Sequence, residues 1–569
     1  MRFAELAGVF EQLEAITSRI QMTNILAELL AKAKPAEAHI LAYLLEGELR
    51  PSFENVRFNV ADKLMTEAIA QAYGVERADV EKAYKEKGDL GLVASALAKK
   101  GKSELELEEV YKRFMEIAQA TGAGSQEKKI SLLAALFRDA TPLEAKYIAR
   151  IVLGKLRMGV GAYTFLDALS VAKKGTKELR QELENAYNVS SDLGAVAEAF
   201  LEKGLKKISE QEVRLFRPIR PALAQRLSSA EEIIKRMGTC AVEPKYDGFR
   251  VQVHKKGEEV KLYSRNLEET TYMFPEIVEA TKKQVKAREA IFEGEALAYD
   301  ESTGTFQPFQ VTIQRKRKHG VAEKAEELPL KLFAFDLLYR DGESFLGKPY
   351  TERKRALREM LRAGETIEVA QEKIVNKPEE IDALFNEYVS EGLEGILAKD
   401  PKSIYSAGAR GYDWIKLKRS YKGKLADTVD VAIVGYFKGK GKRAALGIGA
   451  LVGAVFNKQT GNFETIAKIG SGLTEEQTRE LKRMLDAISL RHKPPNLVAN
   501  LEADVWVTPR YVIEVRADEI TRSPVHTCAA EKGMGLSLRF PRVVGFVRAD
   551  KKAEDATTTQ EVLQMFKGK

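Results

Sequence analysis

The hydrophobic pattern of this chain changes character twice, and those changes limit the fold more than any single motif does. From the N-terminus to about residue 212, apolar residues recur at three- and four-residue spacing, as in Phe3, Leu6, Phe10, Leu13 and Ile16. That is the stripe of an amphipathic helix. Similar stripes run over 24–34, 62–73, 105–121, 125–139, 142–152 and 164–173, with Gly or Pro in several of the breaks. Leu215-Phe216-Arg217-Pro218-Ile219-Arg220-Pro221 ends the pattern, because its two prolines exclude a continuous helix. Beyond it, β-branched and aromatic runs alternate with helical stretches at 276–286, 352–362 and 378–390. A second change near Tyr421 leads into short strands at 431–436, 448–456, 463–469, 505–508 and 511–518, broken by a helix at 474–485. The expected organisation is an all-α domain over 1–212, an α+β domain over 213–420 and a C-terminal β-barrel of the OB-fold type over 421–569.

Composition narrows the function classes. A chain of 569 residues can hold several cores, and 44% hydrophobic content sets it apart from disordered proteins. Lys and Arg outnumber Asp and Glu by 91 to 83, a net charge of +8 that suits a polyanionic partner. Cys240 and Cys528 lie far apart and imply neither a disulfide framework nor a zinc site, so a reducing cytoplasm is the expected location. His39, His254, His319, His492 and His526 show no ligand spacing. There is no basic leader followed by an apolar run and no apolar stretch of about 18 residues, so neither secretion nor membrane insertion is expected.

The chemistry-bearing residues fall in the middle region. Lys245-Tyr246-Asp247-Gly248-Phe249-Arg250 presents a lysine at a turn ahead of a strand. A lysine amine attacks only when neutral, so the pKa of Lys245 is expected to be depressed by burial and by nearby cations. Arg250 offers a bidentate fork for a ribose or phosphate oxygen, and Gly248 a turn free of a side chain. Downstream come Ser264-Arg265-Asn266 at a strand end and Phe292-Glu293-Gly294-Glu295-Ala296, with two carboxylates on one strand face. Leu332-Phe333-Ala334-Phe335-Asp336 is an apolar strand closing on an aromatic and an acid. Glu394-Gly395-Ile396-Leu397-Ala398-Lys399 adds an acid and a lysine, and Trp414-Ile415-Lys416-Leu417-Lys418 follows Arg410 with two lysines on one face. Taken singly, each has an ordinary reading: a solvated sheet face for the acids and lysines, a core position for Phe335. Their joint, ordered occurrence does not. In the helical region, Gly154-Lys155-Leu156-Arg157-Met158-Gly159-Val160-Gly161 reads either as a backbone cradle for a phosphate or as a helix–helix turn.

In this order the elements resemble the covalent nucleotidyltransferases, and over nearly the whole length the chain is similar to ATP-dependent DNA ligases of the archaeal and eukaryotic replicative type. Further points of likeness are Arg220-Pro221-Ala222-Leu223-Ala224, Gln307-Pro308-Phe309-Gln310, the basic run Arg315-Lys316-Arg317-Lys318, Arg539-Phe540-Pro541-Arg542 and Arg548-Ala549-Asp550-Lys551. The resemblance implies that Lys245 takes AMP from ATP, passes it to the 5′-phosphate at a nick, and leaves the 3′-hydroxyl to displace it, in DNA replication, repair and recombination. It implies Glu243 near the adenine edge and Phe335 stacked on the ring. Arg250, Arg265 and Glu295 would hold the ribose and nearby polar groups, with Arg410, Lys416 and Lys418 at the phosphates. Glu394, with Glu295 or Glu293, would coordinate Mg²⁺. Lys399, a cation and not a metal ligand, is a lesser site residue. Arg548, Asp550 and Lys551 would orient the departing pyrophosphate.

The implied partner is nicked double-stranded DNA, bound by a monomer mainly through phosphates. A sliding clamp is expected from the family, although Gln560-Glu561-Val562-Leu563-Gln564-Met565-Phe566 is only a partial clamp-binding box and reads better as a helix packing on another domain. An RNA ligase or an RNA-capping guanylyltransferase shares the lysine motif, but the long helical N-terminal region and the Arg548–Lys551 context favour a DNA ligase. The intact set argues against a non-catalytic scaffold, and two cysteines are too few for an NAD-dependent ligase.

Overall fold

Thr141-Pro142 shows how the N-terminal region turns sequence into helices. Proline starts Pro142–Val152, and the Thr141 backbone N–H and hydroxyl both donate to the Glu144 carboxylate at 2.8 Å, closing a capping box. Gly74, in the left-handed region at φ 64°, ends Asp62–Tyr73. The computed structural model describes residues 1–101, 104–156, 158, 160–209, 212–300, 305–306, 328–418, 428–439, 445–548 and 550–567. Within these, no helix is long and apolar enough to cross a membrane. The expected stripes appear as Phe3–Ala15, Arg19–Lys32, Asp62–Tyr73, Leu107–Gln119, Ser125–Asp139, Pro142–Val152 and Ala162–Lys174. Phe3, Leu6, Phe10 and Leu13 all point into one core. Several helices fall outside the expected stripes, and two do so for opposite reasons: Arg77–Lys87 buries Val80 alone, and Pro35–Glu46 buries every residue from Ile40 to Leu45. Neither has a one-sided stripe.

The chain divides into two compact units, Met1–Lys418 and Arg419–Lys569. In the first, the helical region is followed by two sheets. One has the strand order β1 (Leu223–Arg226), β12 (Arg410–Lys418), β11 (Gly395–Lys399), β2 (Cys240–Lys245), β10 (Lys373–Val375). The other runs β4 (Glu259–Ser264), β3 (Phe249–Lys256), β5 (Glu289–Asp300), β7 (Leu330–Arg340), β8 (Glu343–Ser344), with β6 (Thr305–Phe306) on β5 and β9 (Ile367–Val369) on β7. Helices Ala230–Met237, Pro275–Gln284, Tyr350–Met360 and Pro378–Ser390 accompany them. Lys245 is the last residue of β2 and Phe249 the first of β3, so the chain passes from one sheet to the other through Tyr246–Gly248. The lysine therefore stands at the junction of the two sheets.

Two glycines make that junction possible. A Cβ on Gly248 would lie 2.4 Å from the Ala296 carbonyl oxygen of β5, so close strand approach, rather than a turn conformation, demands glycine there. Gly395, paired with Lys245, has φ 147°, and a Cβ on it would meet the Leu417 oxygen at 2.2 Å. Asp336 does not close its strand as the sequence suggests; β7 continues to Arg340, and the Asp336 carboxylate is fully buried against Arg353 at 2.7 Å.

The second unit is a β domain. Val429–Lys438, Ile448–Asn457, Asn462–Ile469 and Val512–Arg516 form the body of one sheet, and Glu519–Ser523, Met534–Arg539 and Cys528–Glu531 form a smaller one. Helix Glu475–Asp486 begins at a Thr474/Gln477 capping box. The final helix, Thr559–Lys567, buries Val562 in the core of its own unit, so the partial clamp-binding box packs at home rather than on another domain. Tyr421, Gln307–Gln310, Arg315–Lys318, Arg157 and Gly159 lie outside the described residues.

Candidate active site

Where the two sheets meet, a cavity of about 420 Å³ is lined by Glu243, Lys245, Arg250, Arg265, Glu295, Phe335, Arg410 and Lys416, together with Trp414 and others. That volume is in the range of small-molecule pockets. Eight residues singled out in the sequence thus line one cavity. Glu394 and Lys418 stand just behind it, joined to Lys245: the Lys245 ammonium lies 2.8 Å from Glu394, whose other oxygen accepts from Lys418. The Glu394 backbone N–H also donates to the Lys245 carbonyl at 3.1 Å.

The electrostatics of Lys245 run opposite to expectation. Burial pulls its pKa down, but Glu394, Glu295 and Asp247 outweigh burial and raise it above the ordinary lysine value. The depressed pKa expected from neighbouring cations is found instead at Lys416, where burial, Lys418, Arg410, Lys245 and Arg265 bring it down to about 8. The reason is positional. The arginines and lysines cluster along β12 and the β4 turn, whereas the carboxylates close around β2. Glu394 itself is penalised by burial, yet Lys245 and Lys418 hold it below the usual carboxylate range. Glu295 is raised by burial, which Lys245, Arg250 and the Gly248 N–H only partly offset.

Arg250 does not offer a free fork. It makes two hydrogen bonds to Glu293, at 2.7 and 3.3 Å, and a third to the Ala222 carbonyl at 2.7 Å. Glu293 is 1% exposed and also accepts from the Tyr405 hydroxyl at 2.7 Å. Tyr405, fully enclosed, in turn accepts from the Ala222 N–H at 3.0 Å. A strap from Phe216 to Ala222 is tied into this network. Gln252 exchanges two hydrogen bonds with the Ile219 backbone at 2.7 and 2.9 Å, and His254 Nδ1 accepts from the Phe216 N–H at 2.9 Å. Burial lowers the His254 pKa to about 3, in keeping with a neutral ring acting as acceptor. On its other side the strap meets the helical region, the Arg220 N–H donating to the Asn188 carbonyl at 2.9 Å.

Glu243 is likewise committed. Its carboxylate, 2% exposed, accepts from Lys354 at 2.6 Å, Lys399 at 2.7 Å and the Tyr350 hydroxyl at 2.7 Å. Burial opposes the charge, but the two ammoniums keep its pKa below the usual range. Phe335 faces the cavity with Trp414 edge-on at 6.1 Å, and the Lys399 ammonium lies 4.8 Å from the Phe335 ring. Arg265 and Arg410 are exposed at the rim.

Tyr350, Lys354 and Tyr405 are not among the residues the sequence singles out, and Trp414 enters only as the start of a lysine-bearing strand with no role of its own. Tyr350, Arg353, Lys354 and Leu357 are all buried on one helix, and cations on a core-facing stripe were the available signal. For Tyr405 there was none. Arg548, Asp550 and Lys551 belong to the second unit. There Arg548 pairs with Asp550 at 2.7 Å and Lys551 with Asp430 at 2.6 Å, beside a cavity that also includes Arg510 and Lys552.

Among the described residues no cluster of three or more acidic, His or Cys side chains is arranged for a metal. Mg²⁺ needs only one or two carboxylates beside water and phosphate oxygens. Glu295, whose charge burial leaves under-compensated, fits that need; Glu394 fits once a lysine releases it.

Comparison with known proteins places the whole chain. The family model described as ATP dependent DNA ligase domain matches residues 221–418, DNA ligase N terminus matches 2–170, and ATP dependent DNA ligase C terminal region matches 444–551. A "Probable DNA ligase" of Dictyoglomus thermophilum is 50% identical over 568 residues, covering 100% of this chain and 98% of that protein. A "DNA ligase" of Pyrobaculum calidifontis is 44% identical over 580 residues, again covering 100% and 98%. A solved structure described as "Pmar-Lig_Pre." is similar in fold, with TM-score 0.56 at 18% identity, covering 96% of this chain and 99% of that one.

Proposed function

The chain belongs to the ATP-dependent DNA ligases, and from that premise we propose how its residues divide the work of sealing a nick. Lys245, as the neutral amine, attacks the α-phosphorus of ATP. A P–N bond forms, the bond to the bridging oxygen breaks, and pyrophosphate leaves. The 5′-phosphate at a nick then displaces the lysine and takes the AMP as a 5′–5′ anhydride. The 3′-hydroxyl attacks the activated phosphorus, the strand closes and AMP departs. The observation that carries this reading is the placement of Lys245 at the sheet junction, in one cavity with Arg265, Arg410, Lys416 and the Phe335 ring.

In this reading Lys416 and Arg410 meet the phosphates, with Lys418 released to assist, and Arg265 and Glu295 hold the ribose. Arg250 acts through the Glu293 network and Phe335 carries the base. Glu295 and Glu394 are the residues that would hold Mg²⁺. When bound, the ion supplies Lewis-acid neutralisation of phosphate charge. The raised Lys245 pKa is consistent with this division, since Lys245 can lose its proton once the carboxylates around it are otherwise paired. We assign 1–212 to DNA binding, 213–420 to adenylation and 421–569 to an OB-type barrel whose Arg548, Asp550 and Lys551 orient pyrophosphate. Nicked duplex, a cytoplasmic setting and a monomeric state complete the reading, with a sliding clamp as a further partner.

Covalent labelling tests it. Protein incubated with Mg²⁺ and ATP labelled at the α-phosphate should acquire label on Lys245 and lose it to nicked DNA. Labelling from GTP instead would point to capping chemistry, and a stable adduct indifferent to DNA would sink the nick-sealing reading.

A further inference from the structure

We propose that Lys354, Lys399 and Tyr350 set the base selectivity of the cavity by holding Glu243 as an obligate hydrogen-bond acceptor, so that a 6-amino purine is taken and a 6-oxo purine refused. This rests on the reading above that a purine nucleotide charges Lys245. Glu243 lines the same cavity as Lys245, Phe335 and Trp414. Its Oε1 receives Lys354 at 2.6 Å and Tyr350 at 2.7 Å, and its Oε2 receives Lys399 at 2.7 Å. A carboxylate offers about four lone-pair directions, so one on Oε2 remains. An amino group can fill it, whereas a carbonyl oxygen would face a fixed negative charge.

The clamp is a built arrangement. Tyr350 and Lys354 are one turn apart on a helix more than a hundred residues from Glu243, and Lys354 is 1% exposed. Lys399 stands behind the aromatic wall, 4.3 Å from the Trp414 ring and 4.9 Å from that of Tyr350. The other charged or titratable groups facing the clamp are Glu372 on the Tyr350 hydroxyl, Tyr246 and Tyr388 near Glu243, Asp336 near Lys399, and Arg353, 5.8 Å from the Tyr350 ring. The nearby guanidiniums are spent on other acids, Arg353 on Asp336 at 2.7 Å and Arg358 on Glu372 at 2.7 Å. A buried carboxyl group with one ammonium removed takes up a proton more readily and becomes an O–H donor. Such a donor accepts a 6-oxo purine.

The test is binding of ATP and ITP by calorimetry in EDTA, with adduct formation in Mg²⁺ as a second readout. ITP differs from ATP in bearing the 6-oxo group. Wild-type protein should prefer ATP equally at about pH 6 and about pH 9. Lys354→Met should lose roughly tenfold or more of that preference at the lower pH and regain it at the higher, as Glu243 gives up its proton. The charge-conserving Lys354→Arg should restore selectivity. Glu243→Gln, an amide with both donor and acceptor, should lose it at both pH values. If Lys354→Met fails to fold by thermal melting, Glu243→Gln decides alone. Wild-type ratios in whichever of these two variants folds overturn the inference. A wild-type protein that forms no adduct from ATP would instead overturn the ligase reading beneath it.

Discussion

Two carboxylates in the middle region each sit between two lysines, and the largest difference between them is burial. Glu394 lies between Lys245 and Lys418, all three about one-quarter exposed. Glu243 lies between Lys354 and Lys399, all three closed off from solvent at 2% exposure or less. Both carboxylates are held below the ordinary pKa range by the same kind of partner. Strand pairing brings the two groups side by side, since Gly395 faces Lys245 and Leu397 faces Glu243. Water can replace a partner in the first trio but not in the second. The partly exposed trio can therefore exchange ions, while the enclosed one fixes geometry.

The sharpest way to break this comparison is at the exchangeable end. Lys245→Ala should abolish covalent labelling by ATP while leaving the thermal melting temperature close to wild type. Lys399→Met probes the enclosed trio and should destabilise the protein by about 1–3 kcal/mol in urea unfolding, because Glu243 keeps Lys354 and Tyr350 on one oxygen but loses the buried donor on the other. A wild-type midpoint would mean that the two trios are energetically alike.

A pH titration separates the trios further. The pKa of Lys245 is raised, so its amine is protonated at neutral pH, and modification by an amine-acylating reagent should climb as pH increases. Glu394→Gln removes one of the carboxylates responsible and should move that climb to lower pH; an unmoved curve would show that Glu295 and Asp247 suffice. The smallest effect is expected for Lys418→Met, at about 1 kcal/mol or less of stability, since its pairing is solvated and Lys245 still serves Glu394.

What the sequence discloses follows from the range of the interactions involved. Local signals were legible: caps and stripes placed Asp62–Tyr73, Ser125–Asp139 and Pro378–Ser390 to the residue, and ordered short motifs brought Lys245, Glu295, Phe335, Arg410 and Lys416 to one cavity. Sums over distant partners were not. Burial and nearby cations predict a depressed pKa for Lys245, but Arg250 spends its charge on Glu293 while Glu394 arrives beside the lysine from another part of the chain. Glu243 looked available to a ligand because Lys354 and Tyr350, which occupy it, lie more than a hundred residues away. Polar side chains that satisfy each other across a core leave no periodicity to read.

The strap from Phe216 to Ala222 bears on how freely such a protein can exchange parts. Its backbone is hydrogen-bonded on one side by the helical region and on the other by the side chains that orient Arg250. A recombination joint placed just after it would hand the recipient an arginine whose carbonyl partner came from a stranger. Chimaeras of the helical region should therefore tolerate crossover points upstream of Phe216 and fail just after Ala222, making this short segment the inherited property of the domain that follows it.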